Sequence, residues 1–387
     1  MVRLLAILSL AVLVITVTSG CRRRGAEKDY DRPLRSGEVA LQEVPTREWP
    51  SFQVEAGSRQ ALLAGIQHSL SYLGTPTASA KYPVAGVSKE QVVMGLSRFA
   101  ELLESGVGEA ELNRALRDEF RLYRSVGWDG QGVVLFTGYY TPIFRGSKTR
   151  SERYRFPLYR RPNDLEQPPG GRGIARQRLA GGGTRAYPSR GELERSGVLA
   201  GTELAWLPTA MDAYIIQVQG SAKIQLDDGN TMEIGWAGDN GHDYVPIRTA
   251  LVQDGQIPLD HFNLATLRAW SENNPQLVEK YTHSNPRYVF FTEAPGGPFG
   301  SLGRPVTADV SIATDKRIFP PGSLTYVETK VGQGKGQPYM AFRLDQDTGG
   351  AIRAPGRCDL YMGEGLSAER RAGYQLHEGY LYYLVIR

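Results

Sequence analysis

Two carboxylates, Asp347 and Asp359, bracket a glycine-rich turn late in the chain, and their spacing is its most suggestive chemical feature. The stretch reads Asp345-Gln346-Asp347-Thr348-Gly349-Gly350-Ala351-Ile352, then a short basic turn, then Cys358-Asp359-Leu360-Tyr361. The alternating run Tyr339 to Leu344 leads in and Asp359-Leu360-Tyr361-Met362 leads out as extended chain, so the glycine pair predicts a sharp turn between two strand-like pieces. Such a turn can face one strand's carboxylate toward the other's. Acid/base work on a neutral bond needs a carboxyl in a partly desolvated site, where its pKa rises and it holds a proton near neutral pH. The pattern reads first as an acid/base site on a small β-barrel.

The two aspartates are not equivalent. One that leads into Thr-Gly-Gly is a favourable turn residue, its carboxylate serving as an acceptor for backbone N–H groups. Asp359 sits inside a strand, where aspartate is disfavoured, and a compensating role fits it better. Cys358 falls on the opposite face by strand alternation and reads as packing. Asp347-Thr348-Gly349 also matches the Asp-Thr-Gly triplet of aspartic proteases, a remote alternative because that chemistry shares a proton between two such carboxylates. The chain has no second triplet, and charged Asp345 and polar Gln346 precede this one. A non-catalytic binding barrel stays open at this point.

Other chemistries find less support. The five histidines, His68, His242, His261, His283 and His377, show no close ligand spacing, so no metal and no cofactor is expected. Gly332-Gln333-Gly334-Lys335-Gly336 lies between two strand-like runs and lacks the following helix of a phosphate cradle; it reads as a hairpin loop. With 41% hydrophobic and 22% charged residues, the 387-residue chain is ordinary globular protein, long enough for two cores. Its formal charge of +4 favours an acidic polymer as partner and gives no indication of nucleic acid.

Residues 1–20 have Arg3, an apolar run from Leu4 to Val17 and small residues before Cys21, the pattern of a signal peptide ending in a lipobox. Cys21 would then carry lipid, and residues 21–50, polar with prolines and without periodicity, would form a tether. Lipidation would leave Cys358 as the only other thiol and exclude an internal disulfide. The address that follows is periplasm-facing, anchored by lipid at the outer membrane.

The elements that must position the carboxylates come in two textures. Ser58 to Leu73, Ser88 to Glu104 and Gly108 to Tyr123 show helical spacing, and Ser88 with Gln91 predicts a capping box. From Val133 onward the runs are short and strand-like: Tyr214 to Val218, Ala222 to Leu226 and Thr231 to Trp236, with Asp227-Asp228-Gly229-Asn230 a strong hairpin turn. Helical patches follow at Tyr244 to Asp254 and Asn263 to Trp270. Strands return at Tyr288 to Thr292, Leu324 to Lys330, Tyr339 to Leu344 and Tyr380 to Ile386. Between Pro168 and Arg190 a glycine-rich stretch with five arginines reads as a solvated surface loop, or as a basic flap over an anionic polymer.

Asp-Thr-Gly-Gly-Ala-Ile, a basic turn and Asp-Leu-Tyr together resemble the signature of the MltA-type lytic murein transglycosylases. Phe136-Thr137-Gly138-Tyr139-Tyr140-Thr141-Pro142, Val218-Gln219-Gly220-Ser221, Gly238-Asp239-Asn240-Gly241, Asn285-Pro286-Arg287-Tyr288-Val289-Phe290-Phe291 and Pro305-Val306-Thr307 agree with it along most of the chain after about residue 130. The turn between Ile352 and Asp359 is slightly longer than the common pattern. The resemblance implies a mainly β fold with N-terminal helices: residues 51–142 and 285–387 form helices plus a double-psi β-barrel, and residues 143–284 an inserted β-rich domain. A groove between the two would hold a peptidoglycan strand. It also implies that Asp359 is the single catalytic acid/base and Asp347 its support. The reaction implied is cleavage between N-acetylmuramic acid and N-acetylglucosamine with closure of a 1,6-anhydro ring; hydrolysis by a muramidase is the nearest alternative. Tyr139, Tyr140 and Trp236 offer flat faces to pyranose rings, and Thr137, Gln219 and Ser221 offer hydrogen bonds to the glycan.

Overall fold

Six strands close into a ring that carries both aspartates. In order around the ring they are Leu376–Ile386, Leu324–Val331, Gln337–Asp347, Ser311–Ala313, Arg357–Glu364 and Val134–Thr141, which pairs back onto Leu376–Ile386. Two of the pairings are parallel, Ser311–Ala313 with Gln337–Asp347 and Arg357–Glu364 with Val134–Thr141, so the chain crosses over the barrel between them. This computed structural model describes residues 28–168 and 173–387; the signal segment, Cys21 and Arg172 lie outside the described residues.

Alternation fills the barrel. Cys358, Leu360 and Met362 point inward with Phe136, Ile312, Phe319, Val327 and Tyr383 to make its interior. Cys358 is fully buried there, the packing role its strand position predicts. Outside, the helices Arg59–Leu73 and Lys89–Glu104 lay Ile66, Leu96 and Phe99 against Tyr326, Phe342 and Leu344. Lys89–Glu104 starts at the predicted capping box: Gln91 N donates to Ser88 Oγ at 3.2 Å and Ser88 N to Gln91 Oε1 at 3.1 Å. Gln346 ties barrel to helix by donating to Gly65 O at 2.7 Å and Ser69 Oγ at 3.0 Å while accepting from Ser311 Oγ at 2.6 Å.

A second sheet orders Val289–Glu293, Thr231–Asp239, Ser221–Leu226 and Ile143–Gly146. Its hairpin turns at Asp227 to Asn230 as predicted, with Gly229 at φ 86°. Helices Ala210–Gln219, Ile247–Gln253, Leu264–Asn273 and Pro275–Thr282 share a separate core with it. The glycine- and arginine-rich stretch is a small antiparallel sheet of Leu165–Glu166, Arg176–Arg178 and Thr184–Ala186.

Three expectations are corrected. Tyr214 to Val218 is helix, inside Ala210–Gln219: Thr209 caps it by accepting from Asp212 N at 3.0 Å, and the helix is buried on nearly every side, which erases its period. The helix over Gly108 to Tyr123 stops at Glu119, and Phe120–Ser125 continues as a strand paired with Leu376–Ile386. Residues 28–50 are no free tether. Leu41–Glu43 adds to the sheet edge, Tyr30 meets the Trp128 ring edge-on at 5.8 Å, and Lys28 and Tyr30 bond Glu378.

Candidate active site

Asp359 is placed by three strands. On Arg357–Glu364 it registers with Thr137 of the parallel neighbour and with Ala313 of the antiparallel one. Ala313 registers on its other side with Asp347, next to a bulge at Ile312. Two strand spacings put the aspartate Cα atoms about 10 Å apart. The expected facing pair is therefore two carboxylates on one wall with a buried alanine between them, because the chain crosses the barrel between Asp347 and Asp359 and does not fold back as a hairpin.

The Asp359 carboxyl is enclosed, with its side chain 20% exposed. It accepts a hydrogen bond from Thr137 Oγ1. Arg357 Nη2 stands 3.9 Å from Asp359 Oδ1 and donates to Thr137 Oγ1 at 3.4 Å, while Arg357 Nε is buried without a partner among the described residues. Burial raises the Asp359 carboxyl above the ordinary aspartate range; Arg357 and the Thr137 hydroxyl oppose the rise, and the charge of Asp31 adds to it. Neither Arg357 nor Asp31 was singled out by sequence. Arg357 lies two residues from the acid on the same strand, a signal that alternation offers once the strand is known.

Asp347 is held differently. Its Oδ1 accepts from Ser301 N and from Thr348 N, both at 2.8 Å, the backbone-acceptor role expected of a turn aspartate. Burial raises its carboxyl against the pull of those two N–H groups. The turn that follows is anchored to the second sheet's side of the molecule. A Cβ on Gly350 would come within 2.9 Å of the Arg287 guanidinium, so glycine here permits close approach. Arg287 donates to Asp239 Oδ2 at 2.7 Å, Trp236 Nε1 donates to the same oxygen at 3.2 Å, and Arg353 pairs with Asp243.

The other predicted contacts divide. Thr137 and Tyr139 come to the aspartates. The Tyr139 ring lies 5.0 Å from that of Tyr361, and its hydroxyl is buried beside Asp347; burial holds its pKa far up, with the Asp347 carboxylate reinforcing the effect. Tyr140 does not present a ring face: it is 1% exposed and its hydroxyl donates to Glu369 at 2.8 Å, because alternation turns it inward. Gln219, at the end of its helix, accepts from Tyr140 N at 3.2 Å, and Ser221 opens the adjoining strand. Trp236 is 53% exposed.

Beneath the wall lies a group that sequence did not mark. Asp345 is fully buried, accepts from Thr314 Oγ1 at 2.7 Å and Tyr383 OH at 2.8 Å, and pairs with Lys316. Burial raises its carboxyl, and Lys316 pulls against that. Burial thus raises all three carboxyls, and that of Asp359 is flanked by a hydroxyl and a guanidinium.

Comparison with known proteins gives the wall a relationship. Residues 135–292 match the MltA specific insert domain and residues 310–385 the 3D domain. Membrane-bound lytic murein transglycosylase A of Escherichia coli (strain K12) is 32% identical over 265 residues, 67% of either chain. The Vibrio cholerae protein of the same name is 30% identical over 260 residues, 65% of this chain and 66% of its own. The crystal structure of a membrane-bound lytic murein transglycosylase from Agrobacterium tumefaciens superposes with a TM-score of 0.75 at 25% identity, covering 90% of this chain and 98% of that one. E. coli MltA with bound chitohexaose gives a TM-score of 0.70 at 25% identity, covering 92% and 99%. The chain belongs to the MltA family of lytic murein transglycosylases.

Proposed function

We propose that Asp359 alone cleaves the bond between N-acetylmuramic acid and N-acetylglucosamine of peptidoglycan, first as acid and then as base. Protonated Asp359 gives its proton to the glycosidic oxygen as the C1–O bond breaks and C1 takes on oxocarbenium character. The C6 hydroxyl of the same muramic acid then attacks C1 and returns its proton to the carboxylate. A 1,6-anhydro ring forms and no water is consumed. The observation that carries this reading is the enclosed Asp359 carboxyl, whose burial favours the proton-bearing form. A hydrolase needs a second carboxyl as base or nucleophile, and Asp347 already directs an oxygen to two backbone N–H groups.

In this reading residues 51–142 and 285–387 form the catalytic domain, residues 143–284 the insert, and the glycan lies between them. Thr137, Tyr139, Gln219 and Ser221 hold sugar hydroxyls and acetamido groups. The chitohexaose carried by the E. coli relative supports a glycan in this groove. The exposed Trp236 ring adds a stacking face. Cys21 anchors the protein by lipid, facing the periplasm from the outer membrane.

Digesting purified peptidoglycan and weighing the fragments tests the reaction: anhydro ends are expected, and reducing ends in their place would make the enzyme a hydrolase. Asp359→Asn should lower turnover about 10³-fold while insoluble peptidoglycan still pulls the protein down. Turnover retained in that variant would remove Asp359 from the acid role.

A further inference from the structure

Arg357 stands beside the proposed acid with one nitrogen left open. It begins the strand Arg357–Glu364, two residues before Asp359, so both side chains leave the same face of that strand. Its Nη2 is 3.9 Å from Asp359 Oδ1 and donates to Thr137 Oγ1 at 3.4 Å, both long for a guanidinium. Nε is sealed inside the protein. Nη1 has no partner among the described residues and, unlike Nε, keeps contact with solvent; the side chain as a whole is 18% exposed. Nη1 is therefore the donor that a molecule beside Asp359 can reach.

The guanidinium also faces the proposed insert. Burial raises the Tyr244 hydroxyl there, and the charges of Arg248 and Arg357 oppose the rise. Arg357 thus lies on the side of the wall along which the glycan is proposed to run. Among the described residues, Asp359 is the only carboxylate at ion-pair distance from it, and the proposed mechanism starts with that group neutral. At that stage a largely enclosed cation holds one long hydrogen bond, and its open donor is left for the substrate to meet.

The bond being cut decides which acceptor meets it. With Asp359 at the glycosidic oxygen, the neighbouring guanidinium is closest to groups on the carbons that flank that oxygen. The 2-acetamido group of the muramic acid sits one carbon from the breaking C1–O bond, and its carbonyl oxygen offers two lone pairs. The lactyl ether at C3 is a carbon further away. The acetamido group of the N-acetylglucosamine is two carbons beyond its C4.

We propose that Arg357 donates through Nη1 to the acetamido oxygen of the muramic acid being cleaved, and so selects N-acetylated over N-deacetylated strands. This rests on the proposed action of Asp359 on peptidoglycan. Deacetylation removes the acceptor and leaves an ammonium in its place, so a lost hydrogen bond and charge repulsion act in the same direction.

Cleavage of soluble glycan strands by the full chain tests this, using strands whose muramic acids are N-acetylated or N-deacetylated, at a pH where the amine is protonated. In the unaltered enzyme kcat/KM on the acetylated strand should exceed that on the deacetylated one about 100-fold. Arg357→Met keeps the length of the side chain without charge or donor, and should narrow the ratio to about tenfold or less. Arg357→Gln, which loses the charge but keeps an amide donor, should fall between the two and keeps the test decisive if the methionine variant fails to fold. The influence of Arg357 on the acid acts on both strands alike and cancels in the ratio. Equal kcat/KM on the two strands in the unaltered enzyme, or an unchanged ratio in a folded, active variant, would overturn the inference. Either result would leave the proposed reaction standing, because anhydro ends on the products of the acetylated strand report that separately.

Discussion

Arg357 holds one guanidinium nitrogen, Nη2, 3.9 Å from Asp359 Oδ1 and within 3.4 Å of Thr137 Oγ1, so the group that opposes protonation of the acid also braces the hydroxyl bonded to it. Burial favours the neutral acid that the proposed mechanism needs to start the reaction. Arg357 favours the carboxylate that the same proposal needs to finish it. An acid that must also become a base gains from such opposed influences, since a pKa far from the working pH in either direction slows one of the two steps.

The sign of the Arg357 effect is testable. In the proposed mechanism Asp359 must carry a proton to act first, so activity is expected below its pKa and is lost as pH rises through it. Removing the cation withdraws an influence that lowers this pKa. In Arg357→Gln the alkaline limb of kcat should therefore move up by about one pH unit. A pH–rate profile on soluble glycan strands measures it, and a limb that moves down would refute the assignment.

Asp347 answers to a different measurement. Asp347→Asn keeps an oxygen for Ser301 N and Thr348 N, whereas Asp347→Ala leaves both N–H groups to solvent. Ser301 and Thr348 lie near the surface, so the alanine variant should lose only about 1 kcal/mol in urea unfolding and the asparagine variant less. Activity should follow the same order. Asn as damaging as Ala in turnover, with stability intact, would instead show that the charge of Asp347 takes part in the chemistry.

Tyr140 is a buried brace and not the sugar-stacking ring its motif suggests. Its hydroxyl and Arg268 Nη2, 2.9 Å away on the other side, both serve Glu369 and join the barrel's last helix to Leu264–Asn273. Tyr140→Phe should cost about 1–2 kcal/mol of stability, measured by denaturant titration, with KM for glycan unchanged. A rise in KM without loss of stability would return the ring to the groove.

What could be read from sequence was local. The Ser88 capping box, the Asp227 to Asn230 hairpin, the strand carrying Asp359 and the inward Cys358 each depend on a few neighbouring residues. The helix at Tyr214 to Val218 was hidden because it is buried on nearly all sides, so an apolar run looks like a strand whichever way it folds. The site's remaining partners were hidden by topology. Ala313 stands between Asp347 and Asp359 only because a parallel crossover inserts its strand there, and Lys316 finds Asp345 through the same arrangement. No period within one segment encodes a pairing of that range. The family motifs marked the proposed acid, Asp359, but carried nothing about Arg357 or Asp31.

Asp31 makes the last case, because it lies in a segment expected to be mere tether. Lys28 and Tyr30 fasten that segment to Glu378 at 2.8 and 2.9 Å, and the Tyr30 carbonyl lies 2.7 Å from where a Cβ on Gly356 would sit. The negative charge thus held beside the wall adds to the rise of the Asp359 pKa. Asp31→Asn removes it, so the alkaline limb should move to lower pH by a few tenths of a unit, opposite in sign to Arg357→Gln. Gly356→Ala should act in the same direction, since the new methyl group meets Tyr30 O and the Trp128 Cβ, both at 2.7 Å, and displaces the segment. The two shifts would add in the Asp31→Asn, Arg357→Gln double variant if each charge acts on Asp359 independently. A limb unmoved by Asp31→Asn, with the Arg357 shift intact, would leave Arg357 in sole control and reduce the N-terminal segment to packing.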